Sequence, residues 1–417
     1  MAPVPAGREE RRALLLAAAG YFCLLCGYYM LRPLRDSLAL EVGVRYNRWL
    51  FTVVLGCSVV LLPIYWWVVG RTPRGRLLWI AAALFALVFV SLAIGLKLAP
   101  REPALAFAYF VALTTANFYI VSVFWSAMAD VWRPELAKRF FGYVAAGGSL
   151  GALIGPPLVR LGIHELGPTP LIILACAFIL GSAPCVSGAR RVLRRFSARV
   201  PDGAIPVGGR ALDDLARLAR TPYLLGIAGL LIAGQMIGAF MYSEQGKYVA
   251  ANYSSLADRA SLFATMEFCV NLLAFTFQAG VVGWLTRRGS VSASLSAMPV
   301  LLGVTFIALG FYPIGAMLLA TQVIRRAADY GLGKPPREML FTVINPESKF
   351  KSKSLIDTVL QRGADSLGQW VYVFVSPFGL AGIAWLCAGL SVALLGATLR
   401  LGRAFETRRD ADEKQSA

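Results

Sequence analysis

A succession of long apolar segments is the feature that most constrains how this chain can fold. Apolar residues make up 57% of the 417 residues and charged residues only 15%, against about 25% in an average soluble domain. A helix needs roughly 20 apolar residues to cross a bilayer, and a backbone in lipid must satisfy its own hydrogen bonds. Short alternating strands typical of membrane barrels are not seen. The sequence therefore predicts an all-α integral membrane protein.

Twelve apolar segments can be marked along the chain, which predicts twelve transmembrane helices in two six-helix pseudo-repeats, a major-facilitator-like architecture. They cover 13–36, 48–70, 76–97, 104–128, 140–160, 170–188, 222–243, 259–284, 291–312, 314–333, 354–377 and 380–402. The first segment follows charged residues, as a signal peptide would, but no convincing small-residue cleavage site follows it. We therefore expect an uncleaved first helix.

A long polar segment in the middle of the chain divides it into two halves. We expect an N-terminal six-helix half at 1–188, a cytoplasmic linker at 189–221, and a C-terminal half with a cytoplasmic tail at 222–417. The end of the linker, 209–221, reads GRALDDLARLART, with leucines three residues apart. This pattern fits a short amphipathic helix on the membrane surface and equally well a solvated connector.

Short motifs recur in the two halves in the same order and at nearly the same offset. GRTPRG at 70–75 resembles GWLTRRG at 283–289. The series PE, K and GGSLG within 134–151 resembles PE, K and GADSLG within 346–368. Three matches in one order indicate gene duplication. Duplicated six-helix halves are typical of transporters that bind their substrate between the halves near the middle of the bilayer.

The formal net charge of +18 would also be compatible with nucleic-acid binding. However, most of the 41 Lys and Arg residues lie in alternate loops between the apolar segments, which is the pattern of the positive-inside rule. We therefore expect a bacterial inner membrane protein with both termini in the cytoplasm and no nucleic-acid partner.

Signals for catalysis, metals and cofactors are weak. Cys23 and Cys26 form C-x-x-C inside an apolar segment, and the single His164 is far away, so we interpret the cysteines as apolar packing residues. Gly151 and Gly155 form GxxxG, which in a membrane indicates close helix packing. No Walker-type loop and no Ser-His-Asp set stands out. We expect no enzyme activity, no cofactor, no metal and a monomeric protein.

Charged residues inside membrane spans are costly and are therefore functional candidates by default. Arg325 and Arg326 fall in the middle of the tenth span, with Asp329 one turn later. Adjacent residues on a helix point about 100° apart, so one Asp cannot easily neutralise both. A buried ion pair is one interpretation. The other is that at least one arginine faces an anionic substrate.

Other spans carry further charges. Arg362 and Asp365 are three residues apart and can pair on one helix face, and either pairing or a ligand role is open. Glu267, in the eighth span, could couple transport to protons or be a hydrogen-bonded packing residue.

Two more groups of charges lie near the ends of their spans. Arg32, Arg35 and Asp36 follow about 19 apolar residues beside a proline that bends or ends helices, so they fit the membrane rim as well as its interior. Glu244 and Lys247, late in the seventh span, have the same ambiguity.

Several segments resemble the ATP/ADP translocase family, in its bacterial branch. RAADYGLGKPPREM at 326–339 and NPESKFKSKSLIDTV at 345–359 are similar to the family's most specific stretch, in its tenth and eleventh helices. LRPLRDSL at 31–38, FWSAMAD at 124–130 and LAKRFF at 136–141 resemble it more weakly. The resemblance implies nucleotide exchange across a membrane that depends on a few intramembrane charges.

Four such charges can be carried over residue by residue. The family's first-helix Lys falls on Arg35 and its seventh-helix Glu on Glu244, so both signs are preserved. Its fourth-helix Glu falls on Leu113 or Thr114, and its eleventh-helix Lys on Asp365, which reverses the sign. With two of four replaced, the resemblance implies an anionic, nucleotide-like or phosphorylated solute without specifying ATP or ADP.

The sequence thus predicts a transporter or exchanger working by alternating access. We expect substrate binding by Arg32, Arg35, Arg325, Arg326, Glu244, Lys247 and Arg362, and ion pairing or coupling by Asp36, Glu267, Asp329 and Asp365. The alternatives are the same fold carrying a different solute by proton coupling, and a membrane protein that binds a partner without transporting anything.

Overall fold

The structure is a computed structural model in which most, but not all, of the chain is described. The described residues are 7–100, 102–132, 134–194, 222–282, 284, 291–340 and 359–416. The predicted surface helix at 209–221 lies outside them, as do most of the repeat at 283–289 and the segment at 345–358.

Helices account for nearly all of the described chain. They are α1 Arg8–Val42, α2 Asn47–Arg71, α3 Arg74–Leu98, α4 Pro103–Val131, α5 Pro134–Leu166, α6 Pro168–Arg194, α7 Pro222–Asn252, α8 Leu256–Thr276, α9 Val291–Phe311, α10 Gly315–Ala328, α11 Lys334–Leu340, α12 Gln361–Val375 and α13 Gly379–Ser416. Short 3₁₀ turns cover Val44–Tyr46 and Ser376–Phe378, and π-helical turns cover Phe277–Val282 and Asp329–Gly333. The all-α prediction is confirmed.

Ten segments within the described residues are long and apolar enough to cross a membrane. Nine coincide with the first nine predicted spans. The tenth, Gln361–Thr407, contains most of the last two. The predicted span 314–333 forms α10 and the π turn after it, but it is not among the ten, because two arginines and an aspartate lower its mean hydropathy.

The described chain divides into two compact units. The first comprises Met1–Gly43, Gly56–Ala204 and Tyr253–Phe268, and the second Val44–Leu55, Ile205–Asn252 and Cys269–Ala417. Helices α2 and α8 therefore contribute residues to both units.

Helix α1 is the centre of the first unit, where it packs against α4, α5 and α6. Glycines on α5 allow the closest approach. A methyl group added at Gly147, Gly151 or Gly155 would collide with backbone carbonyl oxygens of α1 at successive turns. The prediction that Gly151 and Gly155 mediate close helix packing is confirmed. The thiols of Cys23 and Cys26 are free.

The second unit is built on α7, α9, α12 and α13. Ile237 and Phe240 of α7 pack with Phe306 of α9 and with Ile383 and Cys387 of α13 in its largest apolar cluster. Helix α12 packs along α7, so the polar side chains of these two helices meet inside the unit.

Candidate functional site

The charges of α1 lie inside the helix rather than at its end. Helix α1 continues through Pro33 to Val42, and Arg32, Arg35 and Asp36 are only 8%, 9% and 5% exposed. These side chains are therefore buried within the first unit. Three charged residues within two turns must be compensated by partners.

Arg32 is compensated by Glu267 of α8. The Nη1 atom of Arg32 lies 3.4 Å from Oε2 of Glu267, and the two side chains are 10% and 1% exposed. The guanidinium also lies 5.3 Å from the ring centroid of Tyr29, where a cation–π attraction contributes. Two candidate residues 235 positions apart in the chain thus form one buried ion pair.

Arg35 is held by its neighbour and by α4. Its Nε and Nη2 atoms donate to Oδ1 of Asp36 at 2.9 and 2.6 Å, and Nη1 donates to Oγ1 of Thr114 at 3.4 Å. The Thr114 hydroxyl in turn donates to the Phe110 carbonyl at 2.7 Å. Thr114 is one of the two residues onto which the family's fourth-helix Glu falls, so the structure brings together two positions that only the resemblance connected.

Polar contacts beyond these charges fix the beginning of α8 within the first unit. Ser37 donates to the Leu256 carbonyl at 3.0 Å, and Glu41 pairs with Arg259 at 2.6 Å. His164 lies 3.9 Å from the carboxylate of Asp258. The position of Glu267 beside Arg32 is therefore supported by several further contacts along α8.

Glu244 and Lys247 meet Tyr372 in the second unit. The Tyr372 hydroxyl donates to Oε1 of Glu244, the same oxygen that Lys247 Nζ approaches at 3.2 Å. The Lys247 ammonium lies 4.9 Å from the Tyr372 ring centroid. Glu244 is buried, whereas the Lys247 side chain is 46% exposed. Sequence reasoning missed Tyr372, because a single tyrosine in an apolar span carries no charge signal.

Neutral polar side chains continue this arrangement next to Glu244. Ser243 donates to Oε1 of Gln369 at 2.7 Å and accepts from Asn47 Nδ2 at 3.2 Å. Gln369 Nε2 donates to the Ala239 carbonyl at 3.2 Å. Sequence reasoning missed these residues as well. The only available signal was that Ser243 precedes a charged candidate on the same helix.

Arg325 lies ten residues after the first residue of α10, about 15 Å along the helix. Its Nε donates to Oε1 of Gln322 at 2.8 Å. Its Nη1 lies so close to α7 that a methyl group added at Gly238 would be 3.1 Å away. The side chain thus needs both an amide partner on its own helix and a glycine on the neighbouring one.

Asp329 begins the π turn that follows α10, a type of turn found frequently at functional sites. It lines a cavity of about 50 Å³ together with Gln235, Arg337 and Thr398. Asp329 and the cationic Arg337 therefore border the same small cavity. Arg326, next to Arg325, is partly buried.

Helix α12 carries the remaining pair. Arg362 Nη1 lies 3.5 Å from Oδ2 of Asp365, three residues later, so the contact that their spacing allows is present. The structure thus groups the predicted residues into four sets, with Arg32, Arg35, Asp36 and Glu267 in the first unit. The other three sets, all in the second unit, are Glu244 with Lys247, Arg325 with Arg326 and Asp329, and Arg362 with Asp365. Their roles in binding or coupling stay predictions.

Comparison with known sequences gives relatives along most of the chain. The chain is 22% identical over 439 residues to ADP,ATP carrier protein 1 of Chlamydia pneumoniae, covering 87% of this chain and 84% of the relative. It is 22% identical over 444 residues to the protein of the same name from Chlamydia muridarum, covering 88% and 82%. No protein-family model matches the chain.

Comparison with solved structures gives transporters. A peptide transporter POT in complex with sulfate matches with a TM-score of 0.64 at 16% identity, covering 94% of this chain and 95% of the other. The nucleoside transporter NupG matches with a TM-score of 0.57 at 13% identity, covering 96% and 99%. A bacterial homologue of the lysosomal transporter Spinster, in an inward-facing conformation, matches at 0.53 and 12%, covering 97% of each chain. This chain is therefore similar in sequence to ADP,ATP carriers, and its fold is that of the solved transporters named above.

Proposed function

We propose that this protein transports or exchanges an anionic, nucleotide-like or phosphorylated solute across a membrane by alternating access. The observation that carries the proposal is the similarity to ADP,ATP carriers along 87% of the chain, combined with arginines inside its membrane helices. Reported relatives and structural neighbours are carriers and transporters, which favours transport over catalysis.

Arginine suits such a substrate because its planar guanidinium forms paired hydrogen bonds with phosphate oxygens and stays charged when buried. On α10 and its π turn, residues 315–333 contain Arg325 and Arg326 but one acidic residue, Asp329, which lines the same cavity as Arg337. The local excess of positive charge makes these two arginines the first candidates for anion binding. Arg32, Arg35, Lys247 and Arg362 complete the proposed set.

Carboxylates would provide counter-charge when the site is empty. Glu244, Asp36 and Asp365 each have a cationic partner within 4 Å in their own unit. A phosphate that entered would compete with these carboxylates for the same cations. Exchange of one anion for another on a shared cation is the chemistry that an antiporter needs.

The finer architecture is also part of the proposal. We propose twelve spans in two six-helix halves, 1–188 and 222–417, joined by the linker 189–221, which rock about a central site. The protein would be a monomer in the bacterial inner membrane with both termini in the cytoplasm, as the Lys and Arg distribution indicates. Tags at either terminus should resist protease added to intact spheroplasts and become accessible after lysis. Digestion of either tag in intact spheroplasts would contradict this orientation.

Counterflow is the direct test of transport. Purified protein in liposomes loaded with unlabelled ATP or ADP should accumulate labelled nucleotide from outside, whereas empty proteoliposomes should not. The assay should be extended to other nucleotides and to phosphorylated metabolites. Absence of counterflow with every one of these, in protein shown to be folded, would overturn the proposal.

A second candidate is proton-coupled transport of a different solute, and the observation that favours it is the buried carboxylate of Glu267, which is 1% exposed. Uptake driven by an imposed pH gradient, and lost in Glu267→Gln protein shown to be folded, would support this candidate. Nucleotide counterflow that does not respond to the gradient would reject it.

A further inference from the structure

Helix α2 is packed differently from every other candidate span in the described chain. Only 6% of its most apolar window is buried, against 33–56% in the other nine. Val60, Ile64, Trp66 and Trp67 are 65%, 52%, 53% and 59% exposed. A helix with so little burial within the protein depends on another apolar phase to cover it.

A crevice of about 380 Å³ opens between α2, α3 and α4 in the first unit, and we name it the α2–α4 crevice. Leu61 and Tyr65 of α2, Ala81 and Leu84 of α3, and Ala116 of α4 are among the residues that line it. A water molecule needs two to four polar partners to occupy such a space. These walls are almost wholly apolar, so the crevice is suited to hydrocarbon rather than to water.

One end of the crevice is positively charged. Its lining reaches Val68 at the end of α2 and Leu77 at the beginning of α3. Arg71 is the last residue of α2 and Arg76 lies in the first turn of α3, and no acidic residue occurs from 70 to 80. The guanidinium of Arg71 lies 4.5 Å from the ring centroid of Trp67, and aromatic residues of this type are enriched where a membrane meets water.

A third arginine approaches the same turn from α6. The Nη1 atom of Arg190 lies within contact distance of Gly75, 2.9 Å from where a methyl group would be. Basic groups between membrane helices at the membrane surface bind the phosphates of anionic lipids. An apolar crevice that ends at three arginines therefore matches a molecule with a long hydrocarbon chain and an anionic head.

We propose that the α2–α4 crevice binds one anionic glycerophospholipid, with an acyl chain between α2, α3 and α4 and its phosphate at Arg71, Arg76 and Arg190. The lipid fills the space that α2 leaves open and so keeps this helix at its observed distance from α3 and α4. This site is separate from the charged residues of the proposed transport function and stands whether or not nucleotides are carried.

Native mass spectrometry of the delipidated full-length protein, titrated with phosphatidylglycerol or phosphatidylcholine of identical chains, tests the proposal. Wild type should bind one phosphatidylglycerol saturably and more tightly than phosphatidylcholine. Ala81→Trp fills the crevice and should weaken binding of both lipids by more than about tenfold, the cost of losing two buried methylenes. The matched control is Ala83→Trp, at an exposed position on the same helix. Equal binding in the two variants would overturn the proposal.

Thr115→Val separates a hydrocarbon occupant from a polar one without adding bulk. Thr115 lines the crevice, is 4% exposed, and its hydroxyl makes no hydrogen bond in the described structure. Replacing it with valine should leave lipid binding equal or tighter, because an acyl chain cannot satisfy the hydroxyl. Weaker binding in Thr115→Val would show a polar ligand instead and overturn the acyl-chain assignment.

The headgroup contact is tested by the double variant Arg71→Gln, Arg76→Gln. It should bind phosphatidylcholine as the wild type does but lose the preference for phosphatidylglycerol. Arg160→Gln, at an exposed position on α5, is the control and should keep that preference. An undiminished preference in the double variant would overturn the anionic part of the proposal.

Discussion

Two groups of charges inside membrane helices, one on α1 and one on α10, are compensated in different ways. The α1 group contains two arginines and, with Glu267 of α8, two carboxylates, and the Arg32–Glu267 and Arg35–Asp36 pairs are nearly buried. On α10 and the π turn after it, residues 315–333 contain two arginines and one acidic residue, Asp329. By residue count the first group is neutral, whereas the α10 segment has one more arginine than acidic residues.

This difference indicates different roles, because a charge in the membrane is costly unless it is paired or functional. A neutral, buried group holds helices together whatever the substrate. A group with more arginines than acidic residues is expected where an anionic substrate binds. We therefore expect variants in the α1 group to act first on stability and variants in the α10 group to act first on transport.

The largest expected effect is on stability, in Glu267→Gln. Removing this carboxylate breaks the buried ion pair with Arg32, and breaking a buried pair costs about 3–5 kcal/mol. The double variant Arg32→Gln, Glu267→Gln removes both charges and should recover a large part of the loss. Thermal unfolding of the purified protein in detergent measures both effects.

Glu41→Gln is the matched control, since Glu41 pairs with Arg259 across the same two helices but is 40% exposed. Exposed pairs contribute only about 0–1 kcal/mol, so its melting temperature should stay near that of wild type. If the double variant were as unstable as Glu267→Gln alone, the α1 group would not be a structural ion pair.

The second prediction concerns Arg325→Gln, which should lower nucleotide counterflow or binding about 10- to 100-fold. One charge-assisted hydrogen bond contributes about 1.5–3 kcal/mol, and each 1.4 kcal/mol is about tenfold in affinity. The melting temperature without substrate should change less than in Glu267→Gln, because the hydrogen bond of Arg325 is to Gln322, a neutral amide on its own helix. Labelled nucleotide binding and counterflow in proteoliposomes measure the effect.

Two control variants test whether the effect is specific to the guanidinium of Arg325. Arg325→Lys keeps the charge but loses the planar donor geometry, so it should fall between wild type and Arg325→Gln. Arg160→Gln removes an exposed charge on α5 and should transport normally. If Arg32→Gln impaired nucleotide binding more than Arg325→Gln in folded protein, the contrast between the two groups would be reversed.

The sequence was sufficient for the helical membrane fold and for the charged candidates. Spans and charges are local signals that can be read along the chain. The ion pair between Arg32 and Glu267 could not be predicted from the sequence, because the two residues lie on different helices and only the packing of these helices brings them together. Arg325, Arg326 and Asp329 lower the mean hydropathy of the span that contains α10. This span is therefore not apolar enough to count as a candidate membrane span, although it is helical in the structure.

The neutral polar residues that contact the charged candidates could not be predicted from the sequence either. Thr114, Gln322 and Tyr372 contact Arg35, Arg325 and Glu244, yet one hydroxyl or amide in an apolar span is also an ordinary packing residue. Only the contact gives such a residue a role. Of these three residues, the sequence analysis named only Thr114, as one of two residues onto which the family's fourth-helix Glu falls.

The third prediction is a smaller effect, from Tyr372→Phe. The variant removes the hydroxyl that donates to Glu244 and should cost about 1–3 kcal/mol of stability, since a buried carboxylate loses a donor. Tyr143→Phe, on the exposed face of α5, is the control. Thermal unfolding measures the effect, and a melting temperature like that of the control would show that this hydrogen bond is not important for the fold.

The smallest expected effect is that of Lys247→Gln on stability. Lys247 approaches the same oxygen of Glu244, but its side chain is 46% exposed, and exposed pairs contribute about 0–1 kcal/mol. Glu244 also keeps the hydrogen bond from Tyr372 in this variant. The melting temperature should therefore change less than in Tyr372→Phe. The difference in melting temperature between Lys247→Gln and wild type should be smaller still in high salt, which screens exposed charges. A loss larger than that of Tyr372→Phe would mean that Glu244 depends on the ammonium for its compensation, as the α1 carboxylates depend on their arginines.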